Sequence, residues 1–234
     1  MYYLDKDNDD IRYIIKFFQH EEYAKTFVEE RCFYTNPVGY YCNVEGGRGD
    51  ALEASIIGRP LERVYENISI VDIKYGNGTP IFCCYMVVEN EVLNNRIFNI
   101  DKRCVRDFMD KKGGVAVVIR YEEFHKALWS CPKIVKYGRV NYYEELSIDD
   151  IVKLSKIPLV AIFNKNIQYS YQKEYRIAFD GIVEGELKED EERIRLEYED
   201  CSRKYYYTDK IDIIGAYRGD SFVEDENGLY MLEM

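Results

Sequence analysis

Short apolar runs, broken by turn residues, set the rhythm of the chain. Tyr13-Ile14-Ile15-Lys16-Phe17-Phe18 is dense in β-branched and aromatic side chains and predicts a first strand. Its apolar positions also fit a 3.6-residue period, so a helix over 9–19 is the competing reading. Residues 21–30 place Tyr23, Ala24 and Phe27 on one helical face, and 31–35 read as a short strand stopped by Asn36-Pro37. Two runs do not alternate at all. Ile81-Phe82-Cys83-Cys84-Tyr85-Met86-Val87-Val88 and Val115-Ala116-Val117-Val118-Ile119 carry the mark of strands buried on both faces, and are expected to lie side by side in the centre of a sheet.

Around them the pattern predicts strands over 68–75, 133–143, 171–179 and 211–217, with helices over 101–111 and 122–129. Ser147-Ile148-Asp149-Asp150 has the form of an N-cap with acidic residues behind it, opening a helix to about Lys156. The acidic stretch 184–200 reads as a solvated helix or loop, Tyr205-Tyr206-Tyr207 as an edge strand, and Asn227-Gly228 as a hairpin turn. No repeat or Pro/Ser-rich linker divides the chain. The expectation is one α+β domain over residues 1–234, with many short strands and a few short helices.

Charge narrows the function classes. Lys and Arg number 32 against 43 Asp and Glu, a formal net charge of −11 with histidine neutral. Such a chain repels a polyphosphate backbone or an anionic membrane, but a local basic cleft is compatible with it. The 23 tyrosines, beside 11 Phe and one Trp, supply enough aromatic surface for a tyrosine-lined cleft. Seven cysteines form no CxxC pair, and the adjacent Cys83 and Cys84 cannot close an unstrained disulfide. With His20 and His125 far apart, no zinc spacing can be assembled. Reduced thiols, no basic-then-apolar leader and no apolar run near ~18 residues together predict a cytoplasmic protein with no metal and no membrane contact.

Phosphate-binding GxxxxGK[ST], dinucleotide-binding GxGxxG and nucleophile-elbow GxSxG patterns are all absent from the sequence. The loop Glu45-Gly46-Gly47-Arg48-Gly49-Asp50 concentrates glycines where a turn or a close backbone approach is needed. Its Arg48 and Asp50, with Glu53, could hold an anion through guanidinium and backbone N–H groups, or could close a structural turn by an Arg–Asp pair.

The segment from Phe163-Asn164-Lys165 to Gln172-Lys173-Glu174-Tyr175-Arg176 is the most informative. In a continuous strand over 171–179, Gln172, Glu174 and Arg176 share one face at intervals of about 7 Å. The face reads either as a site or as a solvated sheet face with a Glu–Arg pair, and Lys165, just before it, either reaches a phosphate or stands in solvent. A carboxylate on such a face contributes little to the core.

The Phe-x-Lys, then Tyr-x-x-Gln-x-Glu-Tyr-Arg pattern resembles a large family of uncharacterised bacterial proteins, some encoded near phage-defence genes. The likeness spans roughly residues 11 to 180. It includes a first strand bearing Lys16, a helix, a second short strand and the loop Arg48-Gly49-Asp50-Ala51-Leu52-Glu53. Gln172-Lys173-Glu174 is also similar to the Q/E-x-E element of ADP-ribosyltransferases. That resemblance implies a split-sheet fold with NAD as co-substrate and a protein or nucleic-acid acceptor. It further implies that Glu174 stabilises the oxocarbenium-like state, that Gln172 orients the acceptor, and that Tyr34 or Thr35 lies on a second strand. The early strand has no Arg or His, so the cation would come from Lys16 or Arg48. Three functions follow: an NAD-consuming effector, a nucleotide- or phosphate-binding module using Arg48, Lys165 and Arg176, or an accessory protein of a mobile element.

Overall fold

The computed structural model describes residues 8–42, 55–58, 68–71, 78–109, 114–144, 159–181, 186–189, 194–197, 203–206 and 211–234. The course begins with β1 (Ile11–Phe18), α1 (Glu21–Glu30) and β2 (Cys32–Pro37), the last running into a 3₁₀ turn over Val38–Cys42. β3 (Ser55–Gly58) and β4 (Ile68–Val71) pair with each other. Then come β5 (Pro80–Val88), β6 (Val92–Leu93), β7 (Arg96–Asp101), α2 (Lys102–Met109), β8 (Val115–Arg120) and α3 (Tyr121–Ser130). β9 (Ile134–Arg139), β10 (Asn141–Tyr143), β11 (Asn164–Asn166) and β12 (Glu174–Phe179) follow. The chain closes with β13 (Glu186–Glu189), β14 (Ile194–Glu197), β15 (Arg203–Tyr206), β16 (Ile213–Arg218), β17 (Phe222–Glu224) and β18 (Leu229–Glu233).

An antiparallel sheet in the order β15-β2-β5-β1-β8-β16 forms the centre, with β12 and then β9 branching from β5. The α+β class is therefore as expected. The strand reading of the first segment prevails over the helical one because β1 sits between two partners, β5 and β8, and satisfies both edges of its backbone. This insertion corrects one expectation. β5 and β8 are central and buried, but they are not neighbours, since a strand far away in sequence lies between them.

Alternation of side chains sorts the core into two layers. On one face Ile14 and Phe18 of β1, Phe82 of β5, Val117 of β8 and Tyr175 and Ile177 of β12 pack under Phe27 of α1 and Phe124 of α3. On the other, Ile15, Tyr85, Val87, Ala116 and Val118 meet α2 and a small sheet of order β17-β18-β7-β6. Each fully buried Phe or Ile contributes about 1.5–3 kcal/mol from removal of its surface from water. Phe27 stacks on Phe82 with centroids 5.8 Å apart, and Phe33 meets Phe82 edge-on at 4.7 Å.

The sheet opens at one place. β1 pairs with β5 as far as Ile15–Tyr85 and then leaves it, while Lys16 to Phe18 continue along β8. β2 meets β5 only at Asn36–Ile81 and Pro37–Pro80. Phe82, Cys83 and Cys84 therefore hold β12 on one side and face an opening between β1 and β2 on the other. α1 joins the two diverging strands, and its Phe27 packs on Phe18, Phe33 and Phe82 beneath the opening.

Other boundaries shift for physical reasons. The expected strand over 133–143 is two strands, β9 and β10, because the chain leaves β12 after Arg139 and pairs next with β11. Within the acidic stretch, residues 186–189 and 194–197 form an antiparallel pair rather than a helix or loop. Lys188 stands opposite Arg195 and Leu187 opposite Leu196, an alternation that the excess of acidic residues hid. β15 caps the sheet edge as the tyrosine run predicted, and Gly228 takes a positive φ of 74° at the expected turn. The helix expected after Ser147 lies outside the described residues.

Candidate functional site

The strand expected over 171–179 begins only at Glu174. Residues Ile167–Gln172 wind as a 3₁₀ segment, and Lys173 takes a left-handed conformation, φ 40°, that turns the chain into β12. The Lys173 carbonyl accepts a hydrogen bond from Met86 N–H at 2.9 Å, and its ammonium pairs with the buried Glu91, which fixes the turn from both ends. Gln172 is thus not a strand neighbour of Glu174. What brings their side chains together is Lys165 at the centre of β11.

The Lys165 ammonium donates to Gln172 Oε1 and to Glu174 Oε1, each at 2.8 Å. Arg176 Nε donates to Glu174 Oε2 at 2.6 Å, and Arg176 Nη1 donates to the Ile162 carbonyl. All four side chains are buried, with relative exposures of 4% for Lys165, 3% for Gln172, 7% for Glu174 and 1% for Arg176. Burial alone pushes the Glu174 carboxyl up, but the charges and hydrogen bonds of Arg176 and Lys165 outweigh it and hold the group below the usual carboxylate range. Glu174 is ionised at neutral pH, held by both cations.

Two backbone contacts set the carboxylate. Glu174 N–H donates to the Tyr142 hydroxyl oxygen at 2.9 Å, and its carbonyl accepts from Val140 N–H at 2.9 Å. Val140, between β9 and β10, and Tyr142 of β10 thereby serve the first residue of β12 where the ladder with β9 has ended. Burial pushes the Tyr142 phenol up, so it stays neutral and keeps its role.

This cluster forms the floor of a cleft of about 810 Å³ at the opening of the sheet. Lys16 reaches into it from β1, donating to the Cys83 carbonyl at 2.8 Å with its ammonium 4.2 Å from the Phe82 ring centroid. The lysine bonds a β5 carbonyl beyond the point where β1 itself has turned away. Tyr34 and Asn36 line the cleft from β2, Tyr40 and Tyr41 from the 3₁₀ turn, and Tyr85 and Cys83 from β5. Burial pushes the Tyr41 phenol up, which keeps that wall uncharged. His20, Glu22, Tyr23 and Thr26 form the rim at the start of α1.

Six of the residues singled out in the sequence, Lys16, Tyr34, Lys165, Gln172, Glu174 and Arg176, line this one cleft. Arg48, Asp50 and Glu53 lie outside the described residues. Thr35 is buried. Glu174 does not project from a solvated sheet face; it is locked between two cations. The sequence reading missed Tyr40, Tyr41, Phe82, Tyr85 and Tyr142. The tyrosine excess pointed to such walls in general, but nothing local marked these positions, and Tyr142 meets Glu174 across 32 residues of chain.

Among the described residues no group of three or more His, Cys, Asp and Glu side chains could hold a metal ion, and no helix is long and apolar enough to cross a membrane. No family model, no curated protein and no solved structure matches the chain.

Proposed function

We propose that the cleft binds a nucleotide or a closely related phosphate-bearing small molecule. The observation that carries this reading is the buried Lys165–Glu174–Arg176 cluster: in a chain of net charge −11, two cations and one carboxylate stand on the floor of a tyrosine-walled cleft. A planar guanidinium and an ammonium form a donor set suited to phosphate oxygens. Lys16 adds a second positive centre on the wall. Tyr34, Tyr40 and Tyr41 offer faces against which a base can lie. A volume of about 810 Å³ is in the ordinary range for small-molecule sites.

A second reading, cleavage of NAD with transfer to water or to a protein or nucleic-acid acceptor, is supported by the meeting of Gln172, Glu174, Tyr34 and Lys16 in one cleft. The charge balance favours the first. A carboxylate stabilises a developing oxocarbenium ion best when its charge faces the substrate alone, and here Lys165 and Arg176 each hold an oxygen of Glu174.

A thermal-shift series against AMP, ADP, GMP, UMP, ADP-ribose and NAD tests the proposal. Ligand at 100 Kd stabilises by about 2.7 kcal/mol, which for a chain of this size raises Tm by roughly 5–10 °C. No shift with any nucleotide at millimolar concentration overturns it. Chromatography of NAD incubated with the protein and a cell extract tests the second reading, which fails if NAD is not consumed.

A further inference from the structure

The chain has one tryptophan, Trp129, in the last turn of α3, and its indole is tied to a histidine one turn earlier. Trp129 Nε1 donates to His125 Nε2 at 3.2 Å, and the Tyr137 hydroxyl of β9 stands 3.3 Å from the same nitrogen. An indole N–H only donates, so Nε2 is unprotonated: the ring is neutral and carries its proton on Nδ1. Burial pushes the Tyr137 phenol up, so it keeps its proton and is the second donor to that lone pair. Three rings enclose the imidazole. Tyr121 stacks on it at 5.5 Å and 19°, while Tyr137 and Trp129 meet it edge-on at 5.5 and 6.1 Å.

Protonation treats the two donors differently. Once Nε2 carries a hydrogen, the Tyr137 hydroxyl can turn and accept from it, because a phenol oxygen serves either way. The stack on Tyr121 also survives, since an aromatic face attracts a cation. Trp129 has no such choice. Its N–H and the new Nε2–H point at each other across 3.2 Å, and a donor without an acceptor gains by turning to water. The indole is already 46% exposed and sits at the end of the helix, so little packing opposes its turning. The start of α3 stays fixed by the buried contact between the Tyr121 and Tyr175 hydroxyls.

The surrounding charges do not hold the imidazole protonated. On α3, Glu122 and Glu123 are both bonded to Lys126. Across the cavity that His125 lines, Arg12 is paired with Glu89 and Arg120 with Asp212, with Tyr13 and the exposed Asp9 beside them. Burial keeps the Tyr175 phenol of β12 neutral. Burial also governs His125 and holds it below the ordinary 6.5. The locked, neutral form is therefore complete above about pH 6.5 and gives way as pH falls through the folded value. We infer that His125 is an acid-triggered release for Trp129: its protonation puts a second donor where the indole N–H had its acceptor, keeps Tyr137 and Tyr121 in place, and turns the indole out to solvent.

A single tryptophan makes the readout specific. In proton–nitrogen correlation spectra of the whole chain, the one indole signal is expected to move between about pH 8 and about pH 5, with a midpoint below that of a free histidine. Over the same range the fluorescence maximum is expected to shift to longer wavelength and acrylamide quenching to rise toward that of a fully exposed indole, with far-ultraviolet circular dichroism unchanged. His125→Gln, whose side-chain oxygen can accept from the indole without titrating, is expected to hold all three readings flat. His20→Gln removes the other histidine and is expected to behave as wild type. An indole signal that does not move, that moves equally in His125→Gln, or that stops moving in His20→Gln overturns the inference. A moving signal with unchanged acrylamide quenching overturns it too, since the bond then breaks without release. Should His125→Gln not fold, His20→Gln still decides: His125 is then the one histidine, and an imidazole proton titrating with a midpoint different from that of the indole signal overturns the inference.

Discussion

Arg176 holds Glu174 from two residues along the same strand, Nε to Oε2 at 2.6 Å, with both side chains buried. A pair this close, closed off on its other side by Lys165, is part of the interior. The sequence reading expected Glu174 to be dispensable for folding; its burial between two cations argues for the opposite outcome. Removing one member of a buried ion pair leaves an uncompensated charge and typically costs about 3–5 kcal/mol. Glu174→Gln, which leaves Lys165 and Arg176 facing each other, is expected to lose stability on that scale in urea unfolding. A loss below about 1 kcal/mol would mean that the cluster is open to water.

Acid should find the same weak point. The folded Glu174 carboxyl lies below its ordinary value of 4.5 because Arg176 and Lys165 outweigh the burial that opposes ionisation. The unfolded chain therefore takes up the proton first as pH falls. The stabilisation is complete above about pH 4.5 and is lost progressively below it as pH falls toward the folded value. Urea midpoints of wild type and Glu174→Gln between pH 7 and pH 3 are expected to converge on the acid side. Parallel curves would remove Glu174 as a source of acid sensitivity.

Tyr142 supplies the acceptor for Glu174 N–H. Tyr142→Phe keeps the ring and strands that donor away from water, at a cost of about 1–3 kcal/mol. The variant is expected to unfold at lower urea and to bind AMP more weakly, because the first residue of β12 is no longer pinned. Equal stability in equilibrium unfolding would show that another acceptor takes over.

The thiols should react unevenly. Cys32, Cys84, Cys104 and Cys131 are buried, while Cys83 is half-buried; Cys83 and Cys84 both line the cleft. Burial pushes the Cys84 thiol up to about 12, with Lys16 only partly offsetting it, so it is neutral and unreactive at neutral pH. Brief treatment of the native protein with iodoacetamide, read by peptide mass spectrometry, is expected to label Cys83 ahead of those four, and bound AMP is expected to slow it. Labelling of Cys84 or Cys104 at a comparable rate contradicts the packing described.

Much of this fold is legible in the chain because local pattern decides it. The unbroken run 115–119 and the amphipathic 21–30 have one physical solution each, and β8 and α1 are that solution. Pairing is another matter. Nothing in Ile81 to Val88 or Val115 to Ile119 announces that Ile11 to Phe18 will slide between them, since hydrogen-bond ladders carry little side-chain information. The candidate site divides in the same way. Strand alternation predicted Gln172, Glu174 and Arg176 on one face; for Glu174 and Arg176 β12 supplies it, whereas the left-handed Lys173 takes Gln172 out of the strand and the Lys165 ammonium, which the alternation did not include, restores the contact. A positive φ at a lysine has no signature in composition or period.

The insertion of β1 between β5 and β8 has a consequence for how the protein is made. On a ribosome adding about 5–20 residues per second, β1 emerges long before either flanking strand exists. From Tyr13 to its ladder partner Arg120 the wait is on the order of 5–20 s. For that time an apolar strand is exposed with both edges open, a template for pairing with the wrong chain. Lys16, with a charge in the middle of that strand, opposes such stacking during the interval and ends on the wall of the cleft. One side chain thus guards the nascent segment and equips the finished one.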